Sequence, residues 1–107
     1  MSAPKDLRQP AFADVRDLSL VVPSHVFVRE FDGELVLLDL EGGDYFGLSE
    51  LGLVLWNGLV AGKTPRQVAT EAVAQYDVDL PTMTEDFAKL TEELLAKGLL
   101  LRGANGA

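Results

Sequence analysis

The middle of the chain alternates short apolar runs with turn residues, and this pattern predicts β-strands from residue 21 to residue 48. Val26 to Phe31 forms the first run, and Asp32-Gly33 follows it. Asp-Gly readily adopts the positive φ angles of a two-residue hairpin turn, so the next strand is antiparallel to the first. That strand, Glu34 to Leu40, is almost continuously apolar, and we expect it to be central and covered on both faces.

A third strand is predicted at the edge of the sheet. Glu41-Gly42-Gly43 makes a turn, and Asp44 to Leu48 follows as a short extended run. In a three-strand meander this strand has a neighbour on one side only. Gly47 within it has two interpretations, a bulge that ends the strand or a place where another backbone comes close.

Helical spacing of apolar residues replaces the strand pattern after Ser49, which is a good N-cap. The first predicted helix ends near Gly62. Thr64-Pro65-Arg66-Gln67 is a capping box that begins a second helix reaching Tyr76. A third helix is predicted from about Pro81 to Lys97, with Gly98 as its C-cap, before a short extended piece.

This order predicts an α+β fold, in which a three-stranded antiparallel sheet is followed by a three-helix, winged-helix-like unit. We expect residues 1–20 to form a flexible arm that either packs loosely on the domain through Phe12 and Val15 or is disordered. Residues 21–102 form the predicted domain, and residues 103–107 form a disordered tail.

Charge and composition narrow the range of functions. The 107 residues include 17 acidic and 9 basic ones, for a net charge of −8, which disfavours a nucleic-acid partner. A winged-helix DNA-binding protein needs a basic recognition helix, whereas the third predicted helix is rich in acidic residues. The N-terminal region does not resemble a secretory signal and no run is long enough to span a membrane, so we expect a cytoplasmic protein.

The inventory of reactive side chains argues against an enzyme. Without cysteine the chain has no thiolate metal site and no cysteine nucleophile, and its single histidine, His25, opens the first strand. Asp77 and Asp79 lack the glycine and the terminal glutamate of a calcium loop. We therefore expect no catalytic residues, no metal and no cofactor.

Five segments of the sequence form a recognisable set, and they are Gly33–Leu40, Asp44–Ser49, Leu55–Leu59, Tyr76–Asp79 and Lys97–Leu100. In their order and spacing these segments resemble the family of the coenzyme PQQ synthesis protein D (PqqD). The resemblance extends from about residue 25 to residue 101, and Ser49-Glu50-Leu51-Gly52 departs from the usual pattern.

The resemblance implies a recognition element for ribosomally synthesised and post-translationally modified peptides. Such a domain holds the leader segment of a precursor peptide as an added strand, between its third strand and its third helix, and presents the peptide to a modifying enzyme. A radical S-adenosylmethionine enzyme is the first expected partner, and a lasso-peptide protease is the second. The expected peptide-binding residues are Asp44, Tyr45, Phe46, Gly47 and Leu48 on the strand, with Asp86, Lys89, Leu90, Glu93 and Lys97 along the helix.

A homodimeric interaction scaffold remains the alternative. An open strand edge presents unpaired N–H and C=O groups that a second copy could pair with as readily as a peptide could. Such a dimer, if it used the same edge, would compete with the leader.

Overall fold

The computed structural model describes residues 14–103. A 3₁₀ turn at Val15–Asp17 precedes the regular elements. The strands are β1 (Leu20–Val21), β2 (Val26–Phe31), β3 (Glu34–Asp39), β4 (Tyr45–Leu48) and β5 (Leu101–Arg102), and the helices are α1 (Glu50–Val60), α2 (Pro65–Ala72) and α3 (Leu80–Ala96).

The main sheet is an antiparallel meander in the order β2-β3-β4. Asp32 and Gly33 have φ angles of 48° and 79°, the left-handed conformations that the tight turn between β2 and β3 requires. This confirms the predicted hairpin, the three-stranded sheet and the edge position of the third strand. Since three helices follow, the predicted α+β fold is confirmed as well.

Side-chain caps define where two of the helices begin. At the start of α2, the N–H of Gln67 donates to Oγ1 of Thr64 at 3.2 Å, and the N–H of Thr64 donates to Oε1 of Gln67 at 2.9 Å. This is the predicted capping box. Asp79 caps α3 by accepting from the N–H of Thr82. The second helix ends at Ala72, one turn short of the predicted Tyr76.

The core lies between one face of the sheet and the helices. Leu35 and Leu37 point into it from β3, but Val36 and Leu38 on the opposite face remain half-exposed. The prediction that both faces of this strand are covered was therefore wrong, because the helices pack on one side of the sheet only. Other core side chains are Leu48, Leu55, Trp56, Leu59, Met83, Phe87, Leu94 and Leu100.

The structure differs from the predicted arm over residues 14–20. Val15, Leu18 and Leu20 are buried in the core. β1 pairs antiparallel with β5, and the N–H of Gly103 donates to the carbonyl of Ser19 at 2.7 Å. The described part of the predicted arm therefore packs as a component of the domain. The rest of the predicted arm, including Phe12, and residues 104–107 of the tail lie outside the described residues.

Candidate peptide-binding groove

Within residues 14–103, no strand pairs with the edge of β4 that faces away from β3. Its register with β3 runs without interruption from Leu38↔Tyr45 to Leu35↔Leu48, so the bulge considered for Gly47 is not present. The N–H of Asp39 donates to the carbonyl of Asp44 at 2.8 Å, which identifies that pair as hydrogen-bonded. Because hydrogen-bonded and non-hydrogen-bonded pairs alternate in an antiparallel ladder, the N–H and C=O groups of Tyr45 and Gly47 point outward. These are the groups that an added strand can pair with.

A groove runs along this edge, and one end of it lies between the start of β4 and the end of α3. A cavity of about 380 Å³ is lined by Asp39, Asp44, Tyr45, Phe46, Lys97 and Leu99. Its lining thus carries two carboxylates and one ammonium group, together with the ring of Phe46. We call this the polar cavity.

A second cavity, of about 240 Å³, continues along β4 towards the start of α1. It is mostly apolar, with one carboxylate on its lining, and we call it the apolar cavity. Its lining residues are Phe46, Gly47, Leu48, Ser49, Leu51, Gly52, Asp86, Phe87 and Leu90.

Phe46 belongs to the linings of both cavities. Its ring is half-buried against the core, and the Nζ atom of Lys97 lies 5.5 Å from the ring centroid. A cation over an aromatic face at this distance is attracted by the ring quadrupole. The contact joins the end of α3 to the edge strand at the middle of the groove.

Most of the predicted site residues meet in this groove. All five strand residues, together with Asp86, Leu90 and Lys97, line one or both cavities. Lys89 and Glu93 are exposed on α3 and belong to the lining of neither cavity. The role of each of the ten residues in binding a peptide stays a prediction.

Sequence reasoning missed six lining residues, Asp39, Ser49, Leu51, Gly52, Phe87 and Leu99. Phe87 could have been found from the helical spacing, since it precedes Leu90 by three positions on α3. Asp39 and Leu99 could not have been found from the sequence. Their proximity to β4 depends on the path of the chain in the turn after β3 and after the end of α3.

Gly52 has a structural role at the floor of the apolar cavity. A Cβ atom at this position would lie 2.9 Å from Cβ and 3.2 Å from Cδ2 of Leu48. Real Cβ atoms do not approach a neighbouring Cβ so closely. The glycine therefore lets the first turn of α1 pack directly on the end of β4.

Asp39 organises the turn that closes the polar cavity. Its Oδ1 atom accepts hydrogen bonds from the N–H groups of Glu41 and Gly42, both at 2.9 Å. The bond from Gly42, with that from Glu41, holds the pKa of the Asp39 carboxyl below its usual value, while partial burial opposes the shift. The negative charge of Asp39 is thus stabilised by the turn that it shapes.

Comparison with known proteins identifies the family. The sequence model of the family "Coenzyme PQQ synthesis protein D (PqqD)" matches residues 34–100, more than half of the chain. The chain belongs to the PqqD family. The resemblance predicted from the sequence is thereby confirmed, and the matched region contains β3, β4 and all three helices.

Two solved structures resemble this PqqD-family chain. One is TbiB1 in complex with the TbiA(β) leader peptide, which is 36% identical, with a TM-score of 0.70 over 75% of this chain and 93% of that one. The other is a lasso peptide synthetase B1 complexed with the leader peptide, which is 26% identical, with a TM-score of 0.73 over 78% and 98%. No curated protein sequence matches this chain significantly.

Within residues 14–103, histidine, aspartate and glutamate side chains form no group of three that could hold a metal ion. Of the helices described above, none combines the length and apolar content needed to cross a bilayer.

Proposed function

We propose that this chain binds the leader segment of a ribosomally synthesised precursor peptide and presents it, without catalysing a reaction itself, to a modifying enzyme in the cytoplasm. The observation that carries the proposal is the free edge of β4 facing α3 across a groove. An extended peptide adds to such an edge through main-chain hydrogen bonds, and the side-chain pockets beside the edge supply specificity. Two similar proteins have been solved with leader peptides bound, which supports this occupant.

The two cavities favour different leader side chains. The apolar cavity, with Leu48, Phe87 and Leu90 in its lining, suits an aliphatic or aromatic leader residue. The polar cavity has two carboxylates and one ammonium group, and Lys97 is already placed over Phe46. A basic leader residue next to Asp44 would therefore be favoured.

The likeness to a lasso peptide synthetase B1 bears on the partner enzyme. It favours a lasso-peptide protease over the radical S-adenosylmethionine enzyme that was the first expectation from sequence. The leader of a lasso-peptide precursor is then the ligand to test first.

A pair of substitutions at Gly47 tests the added strand directly. Gly47→Pro removes an outward N–H that β3 does not use, and proline is tolerated on edge strands. Gly47→Ala keeps the N–H, and its Cβ would meet nothing within 4 Å. Leader peptides from precursors encoded near the chain's gene are titrated into each variant by calorimetry. We expect Gly47→Ala to bind like the wild type and Gly47→Pro to bind at least about tenfold more weakly, a loss of about 1.4 kcal/mol or more.

The opposite results would overturn the proposal. If no such leader binds the wild-type chain, or if Gly47→Pro retains full affinity while folded, the leader does not add to β4. If a second copy occupies this edge instead, sedimentation of the wild type will depend on concentration, and Gly47→Pro will abolish that dependence.

A further inference from the structure

The face of the sheet turned away from the helices is apolar and exposed. Phe27, Phe31 and Tyr45 retain 47%, 63% and 75% of their accessible surface. Exposed apolar patches of this kind on a small soluble domain commonly mark interaction sites. We call this surface the outer face; it consists of Phe27, Arg29, Phe31, Glu34, Val36, Leu38, Tyr45 and Gly47.

Strand register determines how the outer face is arranged. Phe27, Leu38 and Tyr45 form one row across the three strands, and Arg29, Val36 and Gly47 form the next. Phe31 lies beyond Arg29 on the same face of β2, because alternate residues of a strand share a face. Arg29 therefore stands in the middle row, between the aromatic residues of β2.

Arg29 is positioned to meet a negative group. Its guanidinium carbon lies 5.4 Å from the centroid of the Phe27 ring, which holds the side chain along the surface of the sheet. Among the ion pairs formed within residues 14–103, none includes Arg29. A guanidinium surrounded by exposed aromatic rings is the composition found in the energetically dominant parts of protein interfaces.

We propose that the outer face docks the enzyme that modifies the bound peptide, through an apolar surface of that enzyme carrying a carboxylate that pairs with Arg29. This inference rests on the proposed function, because it takes the partner to be the enzyme that receives the peptide. A carboxylate is the matching charge, and pairing it with a stacked arginine gives specificity as well as attraction.

A second copy of the chain is the competing occupant of this face. Glu34 shares the outer face with Arg29, so two copies packed face to face can pair Arg29 of one copy with Glu34 of the other. Continuity with the groove favours the enzyme instead, because an enzyme that acts on the bound peptide must lie beside both surfaces. A dimer through this face is therefore one of the outcomes that the test separates.

The outer face is also continuous with the groove. Tyr45 lines the polar cavity and ends the row that begins at Phe27. Gly47 ends the row of Arg29 and leaves open space above its backbone. A leader strand added beyond β4 would place every second side chain on this same face. The enzyme would thus contact the domain and the bound leader together, so the leader should strengthen docking.

The test uses the full chain and the purified modifying enzymes encoded beside it, with binding measured by biolayer interferometry in the presence and absence of leader peptide. Arg29→Glu reverses the charge at the centre of the outer face. Arg102→Glu makes the same change on β5, where the arginine is also exposed, and serves as the matched control. We expect Arg29→Glu to weaken enzyme binding about tenfold or more, and Arg102→Glu to leave it unchanged. Phe31→Ser, at a position that is 63% exposed, should weaken enzyme binding as well.

Leader affinity, measured on the same variants, separates this inference from the proposed function. Retained leader binding with no enzyme binding, or with enzyme binding that neither Arg29→Glu nor Phe31→Ser affects, overturns docking at the outer face alone. Absence of leader binding overturns the proposed function. The enzyme-binding measurements made without leader peptide then still decide whether the outer face docks the enzyme. A wild-type dimer that Phe31→Ser dissociates would assign the outer face to a second copy and overturn the proposal.

Discussion

The ammonium group of Lys97, one residue beyond the end of α3, lies 5.5 Å from the centre of the Phe46 ring on β4. This contact crosses the groove at the point where its polar and apolar cavities meet. It holds the ring of the edge strand in place before any peptide arrives. A preformed aromatic surface reduces the ordering cost of binding.

Removal of the charge at position 97 should weaken leader binding more than it weakens the fold. Lys97→Met keeps most of the length of the side chain and deletes the cation, so we expect leader affinity to fall about two- to fivefold, or about 0.5–1 kcal/mol. Titration calorimetry measures this change. Lys63→Met is the control. Nζ of Lys63 lies 2.6 Å from Oε1 of Glu71, and this ion pair is outside the groove. Equal leader affinities for Lys97→Met and the wild type would show that the contact does not prepare the site.

Alanine at Gly52 should disturb the apolar cavity. The added Cβ would lie 2.9 Å from Cβ of Leu48, and strain of this kind costs about 1–3 kcal/mol, which equals or exceeds the gain of about 1 kcal/mol in helix propensity. We expect lower stability in urea unfolding and weaker leader binding.

Gly58→Ala is the matched comparison for Gly52→Ala. Its Cβ would lie 2.4 Å from Cγ2 of Val68, at the contact between α1 and α2 and outside the groove. We expect this variant to lose stability and to keep its leader affinity once it is folded. If both variants lose leader affinity equally, the effect of Gly52 is a general loss of structure.

Acid should weaken the turn at Asp39. The folded-state pKa of its carboxyl lies below the value of the unfolded chain, which is about 3.9, so its contribution to stability is complete above that pH. The contribution is lost as the pH falls through the folded-state pKa. Asp39→Asn should therefore be less stable than the wild type at pH 7, and this difference should shrink below about pH 4. Urea unfolding at several pH values measures it, and a difference independent of pH would contradict this role for the carboxylate.

The segment before β1 should contribute to stability. Leu18 is 6% exposed, so Leu18→Ala should cost about 2–4 kcal/mol of unfolding free energy. Leu40→Ala is the same chemical change at a residue that is 65% exposed, and it should cost well under about 1 kcal/mol. If the two variants are equally stable, residues 14–20 are not part of the cooperative fold.

Local features of the sequence determined most of the elements. The Asp32-Gly33 turn and the capping box at Thr64 are each specified by adjacent residues, so both could be located without a structure. The five strand residues of the groove followed from the edge position of β4. The family resemblance added the prediction that α3 forms the opposite wall of the groove.

Contacts between distant residues were decided only by the tertiary structure. β1 exists because Leu20 and Val21 pair with Arg102 and Leu101, about eighty positions later, and two residues carry no periodicity of their own. The exposure of one face of β3 depends on which side of the sheet the helices pack against. A continuous apolar run does not indicate whether one face of the strand is covered or both. The outer face and the contact between Lys97 and Phe46 likewise depend on how the elements pack. Hydrophobic burial is non-directional, so the sequence of one element does not specify which other element covers it.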